Sequence, residues 1–363
     1  MKISVVGGGQ LGQMMALSCI KLGVSFSFLD PSKDACAQLV GTLIQHDYDS
    51  DEGIEKLIAN SDRVTFEFES VPAQTVAKIA EHLPVFPSAK ALEVARDRLF
   101  EKTLFQKLGI QTAPFADILS QDDLDQAVES IGVPAIIKTR TLGYDGKGQL
   151  VLKSKSDAKD AFAELGGVPL LYEGFVDFDD ELSCIAVRSE SGECRFYPLV
   201  QNEHKQSMLH ASVVQNNHPL QNLGEQYAKS VLDELDYVGV MTFEYFRKGE
   251  QLLANEVAPR VHNSGHWSIE GAVCDQFENH IRAVAGFPLG GTKTRKNVAL
   301  FNIIGKACNE VELMKIEGAY LHMYQKSEKP ARKIGHITLV EDDDVLFEQK
   351  FKQIEGLLNN DLG

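Results

Sequence analysis

The chain has 363 residues, of which 44% are hydrophobic, enough for two or three domains with ordinary buried cores. Its 36 lysines and arginines are outnumbered by 52 aspartates and glutamates, which gives a formal net charge of −16. This balance argues against a nucleic-acid partner, because binding to a nucleic-acid backbone needs a basic face. A small polyanionic ligand would need locally concentrated cations.

No run of the sequence approaches the roughly 18 consecutive apolar residues of a membrane helix, and the amino terminus enters a strand without a cleavable signal. Six scattered cysteines form no CxxC pair, so the pattern indicates neither a disulfide framework nor a zinc site and favours reduced thiols. We therefore expect a cytoplasmic protein with no membrane partner.

The first hundred residues alternate apolar runs with helical patterns, which predicts a parallel α/β domain over residues 1–100. Gly7, Gly9 and Gly12 match G-x-G-x-x-G between the first strand and a helix, and Asp30 ends the next strand. This pattern is typical of dinucleotide-binding proteins, and it is also compatible with another phosphorylated ligand. Alternatively, the glycines only permit close packing of the helix.

A helical pattern from Ala89 to Leu108 should end at Gly109, where a left-handed cap can form. The central region, residues 101–290, is predicted to contain two lobes, the smaller at about 110–170. After Gly290, short strands and an acidic terminal helix predict a small third domain over residues 291–363.

In the small lobe, the strand PAIIKTRT is followed by LGYDGKGQL, a glycine-rich loop whose amides could enclose phosphates. Lys138 alternates with Ile136 on that strand, so an inward ammonium group would need an anionic partner such as a triphosphate. An ordinary β-hairpin with a glycine turn is the alternative. The segment at 172–176, Glu181 and the segment at 202–205 favour an adenine site, in which a strand edge reads the base and Glu181 takes the ribose hydroxyls.

The segment GVMTFEYFRKGEQLLANEVAPR predicts a hairpin with two opposed acidic residues. If residues 249–251 form a three-residue turn, Glu244 lies across from Glu256 on the same face. At ~4 Å and an effective dielectric constant near 20, their repulsion approaches roughly 4 kcal/mol before solvent relief. We therefore expect a cation between them, and Mg²⁺ shared with nucleotide phosphates is the usual arrangement. The alternative is a water-exposed face on which both carboxylates are solvated.

Seven motifs span nearly the whole chain: GGGQLGQM, TFEFESVP, DRLFEK, GYDGKGQ, NEHK, NEVAPRVHNSGHWSIEG, and LHMYQK with RKIGH. In this order they resemble the ATP-grasp family, and within it the carboxylating ligases that act on 5-aminoimidazole ribonucleotide in purine synthesis. The resemblance implies an α/β fold of three domains: an N-terminal Rossmann-like parallel sheet, a two-lobed ATP-grasp domain and a β-rich C-terminal domain that helps to complete the acceptor site. It also implies a homodimer. Gln13 and the segment 208–219 depart from the family pattern.

The resemblance assigns three sets of site residues. ATP would be bound by Arg98, Lys138, Gly143, Tyr144, Asp145, Gly146, Lys147, Gly148, Gln149, Glu173, Gly174, Phe175, Val176, Glu181, His204, Asn255 and Glu256. Mg²⁺ would be held by Glu244 and Glu256. The phosphoribosyl acceptor would be bound by Gln10, Leu11, Glu69, Tyr144 and Asp145, and by the basic group Lys326, Arg332 and Lys333.

The expected reaction converts bicarbonate to carboxyphosphate with ATP, after which an amine captures the carboxyl carbon or released carbon dioxide. Lys138 and Mg²⁺ would neutralise charge during phosphoryl transfer. Arg260 is expected to hold bicarbonate through its planar fork, with His262, Asn263 and Ser264 orienting it. His262 as a general base is a further hypothesis.

Three other functions stay open at this point. One is another ATP-grasp ligase, such as a formate-dependent glycinamide ribonucleotide transformylase. The second is a nicotinamide oxidoreductase that uses the first glycine loop. The third is a nucleotide-binding regulator without turnover.

Overall fold

The N-terminal sheet is parallel, as predicted. The computed structural model describes residues 1–141 and 148–360. In chain order the first elements are β1 (Lys2–Val6), α1 (Gln10–Cys19), β2 (Ser25–Leu29), β3 (Thr42–Ile44), α2 (Asp51–Ala59), β4 (Arg63–Phe66) and α3 (Ala73–Ala80). The strand order is β3-β2-β1-β4. Alternate strand residues pack on α1 and on α2 with α3, so helices cover both faces.

The predicted single helix from Ala89 to Leu108 is wrong, because it is two helices. α4 (Ala89–Arg96) and α5 (Arg98–Lys107) are separated by Asp97, whose backbone is extended. The Asp97 side chain accepts the N–H of Leu99 at 2.9 Å, which caps the start of α5. Gly109 has φ +70°, so the predicted left-handed end is confirmed.

The small lobe is an antiparallel sheet with a core of its own. Its elements are β5 (Phe115–Ile118), α6 (Gln121–Ser130), β6 (Ala135–Thr139), β7 (Gln149–Leu152), α7 (Ala161–Glu164) and β8 (Leu170–Gly174). The strand order is β5-β8-β6-β7, so β8 lies inside the sheet. Ile118, Leu124 and Tyr172 are among the residues that fill the core beneath it.

One long sheet carries the large lobe and the C-terminal strands. Its elements are β9 (Asp180–Arg188), β10 (Cys194–Phe196), β11 (Val200–Lys205), β12 (Met208–Val214), α8 (Gln221–Glu234), β13 (Gly239–Lys248), β14 (Gln251–Ala258), α9 (Ser268–Gly271), α10 (Gln276–Ala285), β15 (Asn297–Ile304), α11 (Glu310–Met314), β16 (Ala319–Met323), β17 (Lys333–Glu341) and α12 (Asp344–Asn360). Within the described residues the order is β14-β13-β9-β11-β12-β15-β17-β16, with β10 beside β9. The segment that departs from the family pattern supplies β12, which joins the C-terminal strands to the large lobe.

None of the helices in residues 1–141 and 148–360 is long and apolar enough to cross a membrane. The largest core holds Trp267, which packs edge-on against Tyr197 with ring centroids 6.0 Å apart. Because this core also contains residues of α1 and α10, the first domain and the large lobe share buried surface.

Candidate active site

Two acidic side chains face each other on the hairpin of β13 and β14. Glu244 lies directly across from Glu256, as predicted. The predicted three-residue turn is wrong: Gly249 and Glu250 alone form it, and Gly249 has φ +58°. A bulge at Asn255 then shifts the register by one residue. The bulge therefore brings the two carboxylates together.

The surroundings of Glu244 oppose its ionisation. Burial and the neighbouring charge of Glu256 raise the pKa of Glu244 to about 8. The described residues contain no group of three or more His, Cys, Asp or Glu that could hold a metal ion by itself. A divalent cation here would take its other ligands from phosphate and water, and this donor set fits Mg²⁺ rather than a zinc site.

Lys138 belongs to a buried ionic triad. Its Nζ lies 2.7 Å from Glu173 Oε2, and Lys102 Nζ lies 2.6 Å from Glu173 Oε1. Burial alone would raise the pKa of Glu173, but the two lysines outweigh it and lower the value to about 2. The anionic partner expected for Lys138 is thus supplied by the protein. Two cations and one anion still leave a net positive charge facing an incoming polyanion.

Over Glu173 and Gly174 the predicted free strand edge is wrong, because β8 is flanked by β5 and β6, whereas ATP binding by the segment 173–176 stays a prediction. The Glu173 side chain is occupied by the two lysines. The N–H groups of Gly174 and Phe175 donate to the carbonyl oxygens of Pro114 and Pro134, at 2.9 and 3.0 Å. These two N–H groups are engaged within the protein, and the other backbone groups of 173–176 stay predicted contacts of ATP.

The start of α5 is held against the end of β6. Arg98 Nη1 donates to the carbonyl oxygen of Thr139 at 2.9 Å, and the Arg98 N–H donates to the carbonyl oxygen of Arg140 at 3.0 Å. Gly148, at φ +72°, accepts the N–H of Thr139, and Gln149 begins β7. The two ends of the predicted phosphate loop thus form a hairpin. Its other predicted members, Gly143, Tyr144, Asp145, Gly146 and Lys147, lie outside the described residues.

Glu181 and His204, both predicted ATP residues, form an ion pair. Burial favours the neutral imidazole, but the Glu181 carboxylate outweighs it and raises the pKa of His204. Their charges also act on Glu244, so both lie near the carboxylate pair. A cleft of about 480 Å³ opens beside Glu181 and His204.

Arg260 joins the large lobe to the first domain. Its Nε donates to Glu69 Oε2 at 2.7 Å, and its Nη1 donates to the carbonyl oxygen of Val261 at 3.2 Å. Burial opposes the charged guanidinium, but Glu69 and the two carboxylates of the hairpin raise the pKa of Arg260. The guanidinium is therefore a fixed positive charge beside the acidic pair.

His262 is held as a neutral imidazole. Burial and then the charges of Arg260 and Lys333 lower its pKa well below the usual range of histidine. Its Nδ1 accepts the N–H of Ser264 at 3.4 Å and lies 2.8 Å from Ser264 Oγ. An accepting Nδ1 places the proton on Nε2, which lies 3.4 Å from Glu244 Oε1. This geometry argues for an orienting role rather than that of a base.

The side-chain amide of Asn263 pairs with that of Asn302. Asn263 Nδ2 donates to Asn302 Oδ1 at 2.9 Å, and Asn302 Nδ2 donates to Asn263 Oδ1 at 2.7 Å. This reciprocal pair ties the segment after β14 to β15. The pair fixes the position of Asn263, whose predicted role in orienting bicarbonate stays a prediction.

The first glycine loop is filled by a carboxylate of the protein. Glu67 Oε1 accepts the N–H of Gly9 at 2.7 Å, and Glu67 Oε2 accepts the N–H of Gly12 at 2.8 Å. A Cβ added to Gly7 would lie 2.3 Å from Glu67 Cγ. The loop needs glycine in order to admit Glu67.

The acidic residue of the dinucleotide pattern is occupied as well. Asp30 Oδ2 accepts the N–H of Gly8 at 2.8 Å and the hydroxyl of Tyr48 at 3.0 Å. The amides and the carboxylate that would hold a pyrophosphate and a ribose are thus engaged with each other and with Glu67. The dinucleotide interpretation of this loop is wrong.

Two predicted acceptor residues from opposite ends of the chain are in contact. Lys326 Nζ donates to Gln10 Oε1, and burial lowers the pKa of Lys326. The charge of Arg332, whose Nη1 donates to Ser327 Oγ at 2.8 Å, also acts on Lys326. Lys333 begins β17, and its charge helps to lower the pKa of His262. Leu11 packs against the large core.

Comparison with known proteins gives a consistent result along the chain. Family models match residues 1–96 as a ribonucleotide synthetase preATP-grasp domain, 103–277 as an ATP-grasp domain, and 298–350 as a phosphoribosylaminoimidazole carboxylase C-terminal domain. The N5-carboxyaminoimidazole ribonucleotide synthase of Pseudomonas aeruginosa is 53% identical over 358 residues, which cover 99% of each chain. The chain belongs to the N5-carboxyaminoimidazole ribonucleotide synthase family.

Solved structures of this family share the fold. The N5-carboxyaminoimidazole ribonucleotide synthetase of Thermus thermophilus superimposes with a TM-score of 0.94 at 46% identity, covering 98% of both chains. An Aspergillus clavatus N5-carboxyaminoimidazole synthase, in complex with ADP and 5-aminoimidazole ribonucleotide, gives 0.90 at 26% identity, covering 99% of this chain and 98% of that one. The predicted three-domain ATP-grasp architecture of the family is confirmed.

Three residues of this synthase site were not singled out from the sequence: Glu67, Glu101 and Lys102. Glu101 and Lys102 stand three and four positions after Arg98 on α5, so one face of that helix carries Arg98, Glu101 and Lys102. This spacing in the motif DRLFEK is a signal that could have identified Glu101 and Lys102.

Proposed function

We propose that the chain carboxylates 5-aminoimidazole ribonucleotide, with ATP and bicarbonate, to N5-carboxyaminoimidazole ribonucleotide in purine biosynthesis. The observation that supports this most is the Glu244–Glu256 pair, with Arg260 and His262 beside it, in a full-length member of this synthase family. It combines a site for a phosphate-bound cation with a fixed guanidinium for a planar oxyanion.

For phosphoryl transfer, Glu244 and Glu256 would hold Mg²⁺, which supplies charge neutralisation to the triphosphate. The Lys138 ammonium adds positive charge from the small lobe, and its triad fixes the direction from which it does so. Arg98 and the Glu181–His204 pair complete the ATP site, together with the loop 143–149, the segment 173–176 and Asn255. Such a reaction depends on positioning and charge more than on covalent help.

Bicarbonate would be bound by Arg260, whose orientation Glu69 and the carbonyl oxygen of Val261 determine. Attack of a bicarbonate oxygen on the γ-phosphorus breaks the bond to ADP and gives carboxyphosphate. The amine of the acceptor then forms a bond to the carboxyl carbon, with loss of phosphate and a proton. Excluding water protects the labile intermediate, a role for which we propose the loop with Tyr144 and Asp145.

The acceptor would lie between the first and third domains. Gln10, Leu11 and Glu69 approach from the first domain, and Lys326, Arg332 and Lys333 supply cations for its phosphate. The contact of Lys326 with Gln10 supports this, because it brings both sides of the proposed site together. Glu67 and Asp30 instead give the glycine loop a structural role.

We also propose domain limits at residues 1–100, 101–290 and 291–363, a cytoplasmic location and a homodimer. The family models fall within these three ranges. The location follows from the expected reduced thiols, and the homodimer follows from the family resemblance alone. Sedimentation equilibrium would test the dimer.

Acceptor-dependent ADP release tests the proposed function. With ATP, bicarbonate and 5-aminoimidazole ribonucleotide, we expect ADP and a carbon label from bicarbonate in the product. Formate with glycinamide ribonucleotide is the control for the transformylase alternative and should give none. Release with formate only would replace the proposal by that alternative, and no turnover with tight ATP binding would favour a regulator.

A further inference from the structure

The free edge of β14 is bonded to side chains of α5 and, at Ala254, to the backbone after that helix, where the Ala254 N–H donates to the carbonyl oxygen of Gln111 at 2.7 Å. β14 ends the long sheet, and α5 lies along it. The carbonyl oxygen of Ala254 accepts from Lys102 Nζ at 3.2 Å, and the N–H of Val257 donates to Glu101 Oε1 at 2.5 Å. These two backbone groups flank the bulge at Asn255 and its neighbour Glu256.

We propose that Glu101 and Lys102 are positioning residues that clamp the bulge at Asn255 and so hold Glu256 across from Glu244. Their two bonds lie on either side of the point where β14 leaves its first register and enters the second. The inference rests on the proposed function, since it takes the two glutamates as the ligands of the divalent ion.

The clamp matters because the bulge decides which face Glu256 occupies. Without it, the register set by the two-residue turn would continue, and Asn255 would stand opposite Glu244. Because side chains alternate across a strand, Glu256 would then point to the other face. Bulges of this kind re-aim side chains next to active sites.

Lys102 connects this clamp to the small lobe. One ammonium group contacts Ala254 on β14 and Glu173 on β8, and Glu173 in turn contacts Lys138. Lys102 is 2% exposed, so these contacts are shielded from solvent. The same side chain therefore fixes the carboxylate pair relative to the phosphate-facing lysine.

Glu101 holds β14 through a carboxyl oxygen, which accepts the N–H of Val257. Glutamine at this position keeps an oxygen that can accept from Val257. Methionine has a similar length but offers no such acceptor.

The test compares four variants: Glu101→Met, Glu101→Gln, Lys102→Met and, as control, Lys107→Met. Lys107 lies on the same helix, exposed, with Nζ 2.7 Å from Glu234 Oε1. Mn²⁺ binding in the presence of ADP, followed by electron paramagnetic resonance, reports the site directly. Mg²⁺ dependence of ADP release gives a second readout.

We expect Glu101→Met and Lys102→Met to weaken Mn²⁺ binding about tenfold to hundredfold, the usual effect of removing a group that orients a metal ligand. Glu101→Gln should restore most of the loss, and Lys107→Met should bind like the wild type. Unchanged Mn²⁺ binding in both methionine variants, with only a lower melting temperature, would overturn the clamp.

Glu101→Asp serves where a methionine variant does not fold, because it keeps the acid but withdraws its oxygens by one methylene. The clamp requires weakened Mn²⁺ binding in this variant, whereas unchanged binding would leave Glu101 with an electrostatic role alone. Absence of acceptor-dependent turnover in the wild type would reject the proposed function. Mn²⁺ binding with ADP decides the clamp separately from that result.

Discussion

Glu244 and Glu256 face each other only because the strand between them and the turn contains one residue too many. This geometry places two carboxyl groups at opposed positions on one face, and burial and the charge of Glu256 raise the pKa of Glu244 to about 8. The pair is therefore poised to exchange a proton for a divalent cation.

Proton release should accompany Mg²⁺ binding in the presence of ADP. Below the raised pKa of Glu244 the ion must displace its proton, so apparent affinity should fall as pH falls, by up to about tenfold per pH unit. Calorimetry in buffers of different ionisation enthalpy measures the released protons. Glu244→Gln is the control and should abolish the release. Binding without proton uptake or release at any pH would contradict this assignment.

The metal-free protein should become less stable as pH rises through the same range. An unfolded glutamate ionises near about pH 4.3, whereas folded Glu244 keeps its proton to about 8, so the folded chain binds more protons in between. The free energy of unfolding therefore falls with rising pH in this window. Denaturant unfolding should show that the difference in the free energy of unfolding between the wild type and Glu244→Gln changes with pH. A constant difference would show that Glu244 has an ordinary pKa.

The hairpin also shows what the sequence could and could not predict. The prediction that Glu244 and Glu256 are opposed is correct, but the three-residue turn from which it was made is wrong. The bulge at Asn255 shifts the register by the one residue that the shorter turn removes. A bulge leaves no clear signal in QLLANEVA, the sequence of β14. It depends here on Glu101 and Lys102, which belong to another element.

The dinucleotide interpretation of the first glycine loop was wrong for a related reason. G-x-G-x-x-G predicts backbone amides that need an anion, and this is correct. The anion is Glu67 from the neighbouring strand end, which a local motif cannot reveal. Parallel strands bring their carboxyl ends to one edge of a sheet, so the acidic residues after β4 were candidates. The same lesson applies to Lys138, whose partner Glu173 lies two strands later along the chain.

Replacing Glu67 should destabilise the first domain without creating a dinucleotide site. Glu67→Gln puts an amide nitrogen against one of two N–H donors, which should cost about 1 to 3 kcal/mol in the free energy of unfolding. Chemical denaturation measures this cost. Glu55→Gln, an exposed position on α2, should change little. Tight NAD binding by the wild type would contradict the structural role given to the loop.

Glu173→Met should be among the most damaging changes in the small lobe, because it leaves two buried ammonium groups without their partner. Breaking such a pair costs about 3 to 5 kcal/mol. The pKa of folded Glu173 is depressed to about 2. Its contribution to the free energy of unfolding is therefore present above the unfolded pKa and is lost as pH falls from there to about 2.

The matched control for this change is Glu129→Met. Glu129 pairs with Lys155 at 2.6 Å in the same lobe, but both side chains are more than half exposed. An exposed pair contributes about 0 to 1 kcal/mol. Equal losses in the two variants by urea unfolding would contradict a special role for the buried triad.

His262→Gln separates an orienting imidazole from a catalytic base. The pKa of His262 lies well below the usual range of histidine, so the imidazole stays neutral as the solution becomes mildly acidic. The fall of kcat/KM at low pH, the acid limb of the profile, should therefore not depend on His262. We expect turnover to fall by less than about tenfold with that limb unchanged, whereas loss of a base typically costs about a hundredfold or more. Initial rates of ADP release across pH measure both quantities. A hundredfold loss that also removes the acid limb would mean that the proton sits on Nδ1 and that Nε2 accepts the proton of the reaction.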